Sequence, residues 1–294
     1  MKTIHLEQGL NFLRSGYLFT SRLRRKAGVA PDSDEPVRLR MLGKPTLLVR
    51  GSEGVKFFYD TDRIKRSDAM PMFIRGPLFG LGSAHSLDGE EHAARKNPMT
   101  DLAYDDARVT EFAELVTEEL EKQVGRWRTS PGNVYDDLAL VYGRAAFRWA
   151  GLPLSLREME TQSRRMSRLL DTFGQPSRNP VAWVERARTD RVFTRMIGDV
   201  RAGTLTVEED SVIARVAELP DTSDHTAAVE LQNLTRPTVA VSRFAAFAAV
   251  VFGAVRPFNG GQDDALTQNG HDLHLFDAGA ADGQADGRAN RAGN

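Results

Sequence analysis

Residues 233–252 read NLTRPTVAVSRFAAFAAVVF and set Arg236 beside Pro237 at the start of one of the most apolar runs in the chain. From Ala227 to Val255 nearly every position is apolar or small, the pattern of a helix buried on most sides and running through the middle of a domain. Pro237 has no N–H to give to the carbonyl of Asn233, and its ring crowds that carbonyl, so a kink or widening is predicted there. Arg236 keeps its charge at any working pH and needs a partner in an apolar interior. Two partners fit. One is an acidic side chain on another helix, in a structural ion pair. The other is a ligand carboxylate, held by the two-pronged guanidinium at the end of an apolar tunnel.

Outward from this run the pattern stays helical. Apolar spacing predicts helices over about 105–128, 134–150, 154–175, 179–202 and 206–217, with Trp127, Trp149 and Trp183 on or near their apolar faces as core residues. Residues 6–28, LEQGLNFLRSGYLFTSRLRRKAG, read as one further helix that ends on a basic turn and a glycine stop. Polar and apolar residues alternate on both sides of Gly43-Lys44 in PVRLRMLGKPTLLVRG, which predicts a hairpin of two short strands. The following SEGVKFFYD predicts a helix capped by Ser52, with Glu53 in its first turn. No strand–helix alternation and no repeat is present, so the fold class is mainly α with a small N-terminal β-hairpin region and one long buried interior helix.

Composition narrows the function. The 294 residues are 41% hydrophobic and 27% charged, which suits a globular protein with a sizeable core. Thirty-nine Lys and Arg balance 40 Asp and Glu, so nothing drives non-specific nucleic-acid binding. The polar start, MKTIHLEQGLNFLRSGY, is unlike a signal peptide, and the uncharged run from Phe244 to Val255 is too short to cross a bilayer, so a cytoplasmic location and no membrane span are expected. The chain contains no cysteine, which excludes disulfides, thiolate metal ligands and cysteine nucleophiles from these residues. After Phe258 the sequence turns to Gly, Asp, Asn and Ala with few large apolar side chains, so 259–294 is predicted to be a disordered low-complexity tail behind a domain of residues 1–258.

A second stretch, residues 58–96, FYDTDRIKRSDAMPMFIRGPLFGLGSAHSLDGEEHAARK, combines a basic cluster, an apolar segment broken by Pro and Gly, and two histidines. The elements FYDTDR, LFG, LDG..H..RK and RP.VA in that order resemble the bacterial fatty-acid peroxygenases of the cytochrome P450 superfamily, from about Leu10 to Phe258. The resemblance implies the N-terminal part of the P450 fold and a haem b cofactor. It implies a peroxygenase that hydroxylates fatty acids at the α or β carbon, or decarboxylates them, with hydrogen peroxide and no redox partner protein.

By position, Arg236 matches the arginine that binds the substrate carboxylate above the haem, and Pro237 the proline beside it. The fixed carboxylate then serves as acid–base for the peroxide in place of the acid–alcohol pair of other P450s. His85 matches a catalytic position near the substrate's α and β carbons; its unperturbed pKa near 6.5 suits a proton donor and leans the expectation towards α-hydroxylation or decarboxylation. Read without the family, His85 is a loop or core histidine. Leu78, Phe79, Leu170 and Phe173 match positions lining the acyl tunnel, or are ordinary core. Arg66, His92 and Lys96 match cations at the haem propionates, or are solvated charges. Pro98 falls where the family has apolar residues, and fits if it lies in a helix's first turn.

Two departures bear on activity. The axial cysteine thiolate that a P450 needs is missing, and so is the family's Glu-x-x-Arg pair after the interior helix. Glu185 and Arg188 have that spacing but precede the helix and read as a surface pair. His271 and His274 lack an apolar frame in which to bind iron. The change of composition at Phe258 suits a reading frame that ends early, by truncation or frameshift. Two functional readings follow: the family's peroxygenase, or an inactive remnant that binds fatty acid or haem weakly and exposes its apolar interior helix.

Overall fold

The computed structural model describes residues 1–251 apart from 61, 68 and 173–177. Phe173, His271, His274 and the tail 259–294 lie outside the described residues. Among those described, the chain is mainly helical, with one three-stranded sheet.

The predicted N-terminal helix is split into three pieces. Strand β1 (Lys2–Glu7) precedes helix α1 (Gly9–Ser15), a single 3-10 turn and helix α2 (Phe19–Lys26). Gly16, at φ +47°, makes the break, in a backbone region that glycine enters without steric cost. The hairpin forms as expected from β2 (Val37–Met41) and β3 (Lys44–Leu48), paired antiparallel across Leu42-Gly43, both at positive φ. β1 adds parallel to β2, which periodicity did not reveal because five of its six residues face water. Phe19, Leu23 and Leu39 form the small core under this sheet.

Helix α3 (Gly51–Phe58) is preceded by Arg50, so Ser52 lies inside the first turn and does not cap it. Helix α4 (Met72–Phe79) carries Pro77, and helix α5 (Gly89–Tyr104) carries Pro98. Pro98 is nine residues into α5, not in its first turn, and the helix continues through it. Trp183 packs so closely on Gly76 of α4 that an added Cβ would overlap the indole.

The main core is built by α6 (Asp106–Trp127), α7 (Val134–Trp149), α8 (Leu156–Asp171), α9 (Asn179–Arg201), α10 (Val212–Ala217) and α11 (Asp224–Val251). Their starts are set by side-chain caps: Asp105 for α6, Asn133 for α7, the Ser155/Glu158 capping box for α8 and Ser211 for α10. The α10 pattern predicted from 206 therefore begins only after Ser211, where the cap closes it.

Helix α11 is the interior helix, and it is continuous through Pro237. Its first half packs between α7 and α9, where Ala227, Ala228, Val229, Leu231 and Val239 are fully buried. Its second half differs from the sequence expectation of burial on most sides. Val241, Phe244, Phe247 and Val251 form an exposed apolar stripe, with Phe244 at 74% exposure. By length and composition α11 could cross a membrane, but Glu230, Arg236 and Arg243 interrupt it and its N-terminal half is core.

Glu185 is buried, not on the surface as the spacing suggested. Arg165 and Arg168 from α8, with Arg188 from α9 itself, converge on its carboxylate at 2.9–3.6 Å. It ties α8 to α9.

Candidate active site

Arg236 lies on the buried face of α11 at 5% exposure. Among the described residues no carboxylate pairs with it. Its Nη2 donates to Asn233 Oδ1 at 3.3 Å, and its Nε has no partner. Burial, and then the charge of Arg186, push its pKa down to about 10, still well above neutrality, so the guanidinium stays charged. The structural ion pair left open by the sequence is therefore not made among the described residues.

Asn233, Leu234, Pro237 and Ala240 of α11, Phe79 of α4, His85, and Lys96 and Met99 of α5 line a cavity of about 310 Å³ with Arg236 at its wall. Two rings and a guanidinium meet there. The imidazole of His85 stacks on Phe79 with centroids 4.1 Å apart and an interplanar angle of 19°, while the Arg236 guanidinium carbon lies 5.3 Å from the centre of the same ring. His85 Nδ1 is buried without a hydrogen-bond partner.

The setting changes what His85 can do. Burial first, then the charges of Arg236, Lys96, His92 and Arg66, push its pKa down to about 4. The sequence expectation of a donor near 6.5 does not hold for the free protein, in which this imidazole is neutral at pH 7. A carboxylate entering the cavity would offset those cations and raise the pKa again.

The tunnel residues divide. Phe79 lines the cavity; Leu78 and Leu170 are half-buried and do not line it. Pro237 lines the cavity from an exposed position on α11. Its ring removes one backbone donor from the Asn233 carbonyl.

Arg66, His92 and Lys96 do come together. His92 and Lys96 sit one turn apart on α5, and Asp88, just before that helix, accepts from the Arg66 N–H at 2.6 Å and from the Ser67 N–H. The pKa of His92 falls through burial and then through the charges of Arg66 and Lys96, with Asp88 opposing. Such a cluster suits an anion with two acid groups, as haem propionates are. The donor set for the iron does not fit, because a cysteine thiolate is absent from these 294 residues. On their own they match the acid groups of a haem and not its metal.

Two side chains linked to Arg236 escaped sequence reasoning, Glu230 and Asn233. Glu230 is fully buried on α11; its Oε1 accepts from the Ala84 N–H at 2.7 Å and its Oε2 accepts from Asn233 Nδ2 at 3.3 Å. The spacing Glu230, Asn233, Arg236 was a usable signal, since residues three apart are neighbours on a helix surface.

No family model matches the chain. Solved structures do. A variant of cytochrome P450SP alpha (CYP152B1) aligns with a TM-score of 0.73 and 33% identity over 81% of this chain and 58% of its own. The same protein in complex with (R)-ibuprofen aligns at 0.72 and 32%, with the same coverage. Ligand-free cytochrome P450 OleT aligns at 0.78 over 86% of this chain and 62% of its own, at 24% identity, a likeness of fold alone. The chain thus spans about three-fifths of the length of these relatives. The shared part is the helical N-terminal portion with its small sheet, and over that part the chain is similar to the CYP152 cytochromes P450.

Proposed function

We propose that the cavity at Arg236 binds a long-chain fatty acid by its carboxylate, as the substrate side of a haem-dependent peroxygenase that uses hydrogen peroxide to hydroxylate the acid at its α or β carbon or to decarboxylate it. The observation that carries this reading is a charged guanidinium at 5% exposure with no acidic partner among the described residues and an unpartnered Nε, at the wall of an apolar-lined cavity. Such an arrangement is costly in a structural role and useful for an anion. Its volume lies near the lower end for small-molecule sites, enough for the head and first carbons of an acyl chain.

Within this reading Arg236 fixes the carboxylate, Phe79 and Pro237 bound the space beside it, and His85 becomes a proton carrier once the anion is in place. Arg66, His92 and Lys96 hold the propionates. Haem, when bound through a thiolate, would supply the oxidising chemistry. These 294 residues offer no thiolate, so a second reading has a specific observation behind it: alone, they bind the acid without turnover.

Titration of the purified 294-residue chain with dodecanoate tests both. Saturable binding that Arg236→Met weakens at least tenfold is expected, together with the lack of a thiolate-type band after haem addition and reduction under carbon monoxide. Equal affinity in wild type and Arg236→Met would remove the first reading, and a thiolate band would remove the second.

A further inference from the structure

Arg236 and His85 come from different elements, yet both are tied to one pair of side chains on α11. Asn233 is the middle link. Its Nδ2 donates to the Phe79 carbonyl at 3.0 Å and to Glu230 Oε2 at 3.3 Å, and its Oδ1 accepts from Arg236 Nη2 at 3.3 Å. Glu230 is the inner link, because its Oε1 accepts from the backbone N–H of Ala84, the residue before His85, with Arg95 Nη1 a further 3.7 Å away. The amide cannot turn over without placing its oxygen against the oxygens of Phe79 and Glu230. Two acceptors on the inner side therefore fix an acceptor on the Arg236 side.

We propose that Glu230 and Asn233 are positioning residues of the acid pocket, a relay of fixed polarity that aims Arg236 at the ligand carboxylate and holds the His85 turn at a set distance from it. The inference rests on the carboxylate-binding reading of Arg236. Burial disfavours the Glu230 charge and raises its pKa, which the Ala84 N–H, Asn233, Arg95 and Lys96 oppose. A fully buried carboxyl is an expensive way to anchor a turn. Its use here is explained by polarity, since only an acceptor at both oxygens serves the Ala84 N–H and the Asn233 amide together.

Glutamine at 230 is nearly the same size and breaks the pattern. With its oxygen on the Ala84 N–H, its NH2 faces the Asn233 NH2. Asn233 must then turn over, losing the Phe79 carbonyl and presenting a donor to a guanidinium that has only donors. Aspartate at 233 acts oppositely, supplying Arg236 with an internal carboxylate that competes with the ligand.

The test measures affinity for dodecanoate and for dodecan-1-ol in the full chain, with helicity at 222 nm as the check on folding. Wild type is expected to prefer the acid by at least about tenfold, the scale of one charge-assisted hydrogen bond. Glu230→Gln and Asn233→Asp are each expected to lose most of that preference, the acid affinity falling far more than the alcohol affinity. A folded Glu230→Gln or Asn233→Asp that keeps the wild-type acid-to-alcohol ratio overturns the relay, and so does an equal loss of both ligands, which marks a merely structural role. Arg236→Met keeping the ratio, or a wild type without acid preference, overturns the reading beneath it instead.

Discussion

Two buried arginines, Arg144 on α7 and Arg236 on α11, are both almost removed from water and are treated in opposite ways. Arg144 Nε meets Glu119 Oε2 at 2.6 Å and its Nη1 reaches Glu160 at 3.3 Å, while Arg148 and Lys122 share the Glu119 carboxylate. That cluster pins α6, α7 and α8 together on two carboxylates and leaves only Nη2 of Arg144 without a hydrogen-bond partner. Arg236 has an amide oxygen, an aromatic ring and an open cavity. Arg186, the buried cation whose charge acts on it, is itself only partly satisfied: Nε lies 2.8 Å from Asp190 Oδ1, and Nη1 and Nη2 have no hydrogen-bond partner. The difference separates a charge placed to hold helices from charges placed to receive something. A buried cation that meets carboxylates is held by them, whereas one that meets none persists at a cost to stability that selection accepts for function.

The comparison breaks if the two arginines respond alike to the same substitution. Arg144→Met strands the buried Glu119 with partial cover from Arg148 and Lys122, and is expected to cost about 3 kcal/mol in urea unfolding. Arg236→Met strands no charge, and its stability should stay within about 1 kcal/mol of wild type or rise. A similar loss for both would mean that Arg236 is structural after all.

Arg186 sharpens the contrast through Gly80. This glycine ends α4 at φ +87°, and an added Cβ would overlap the Arg186 guanidinium and crowd Val229. Gly80→Ala is expected to cost about 2 kcal/mol, part backbone strain and part displacement of a buried charge. It should also weaken dodecanoate binding, since Phe79 and its carbonyl move with the turn. A silent Gly80→Ala would separate α4 from the acid pocket.

The smallest effect concerns the proton on His85. Its pKa in the free protein is depressed to about 4, so the stability linked to its neutral form is present above about pH 6.5 and is lost as pH falls towards 4. A bound carboxylate raises that pKa, so the site should take up a fraction of a proton on binding between about pH 4 and 6.5. Calorimetry in buffers of different ionisation enthalpy measures it, and His85→Gln removes the ligand's own titration from the difference. Equal uptake in both proteins would show that His85 does not respond to the anion.

Much of the helical plan was legible, and the reasons it failed in places are local. Helices α6 to α9 follow from apolar spacing and from caps such as Asn133 and Ser155, which are signals carried within a few residues. The N-terminal helix was misread because Gly16 breaks it and because β1 depends on a parallel partner thirty-odd residues away. Glu185 was read as a surface residue because its partners Arg165 and Arg168 come from another helix. At the candidate site, Arg236, Pro237, Phe79 and His85, named from the sequence, line one cavity, whereas the Glu230–Asn233 pair was passed over: its three-residue spacing to Arg236 was visible, but its backbone partners at Phe79 and Ala84 were not.

The sequence by itself determined the helical class, the early hairpin, the resemblance to the peroxygenases, and the absence of a thiolate from these residues. Those features are set by residue type and short-range spacing. Only the tertiary structure decided that Arg236 has no acidic partner among the described residues, that its cavity is shared with His85, and that burial and nearby cations keep His85 neutral in the free protein. Pairing and desolvation depend on which groups distant segments bring within a few ångströms, and the energy of a charge changes with that company far more than with its neighbours in the chain.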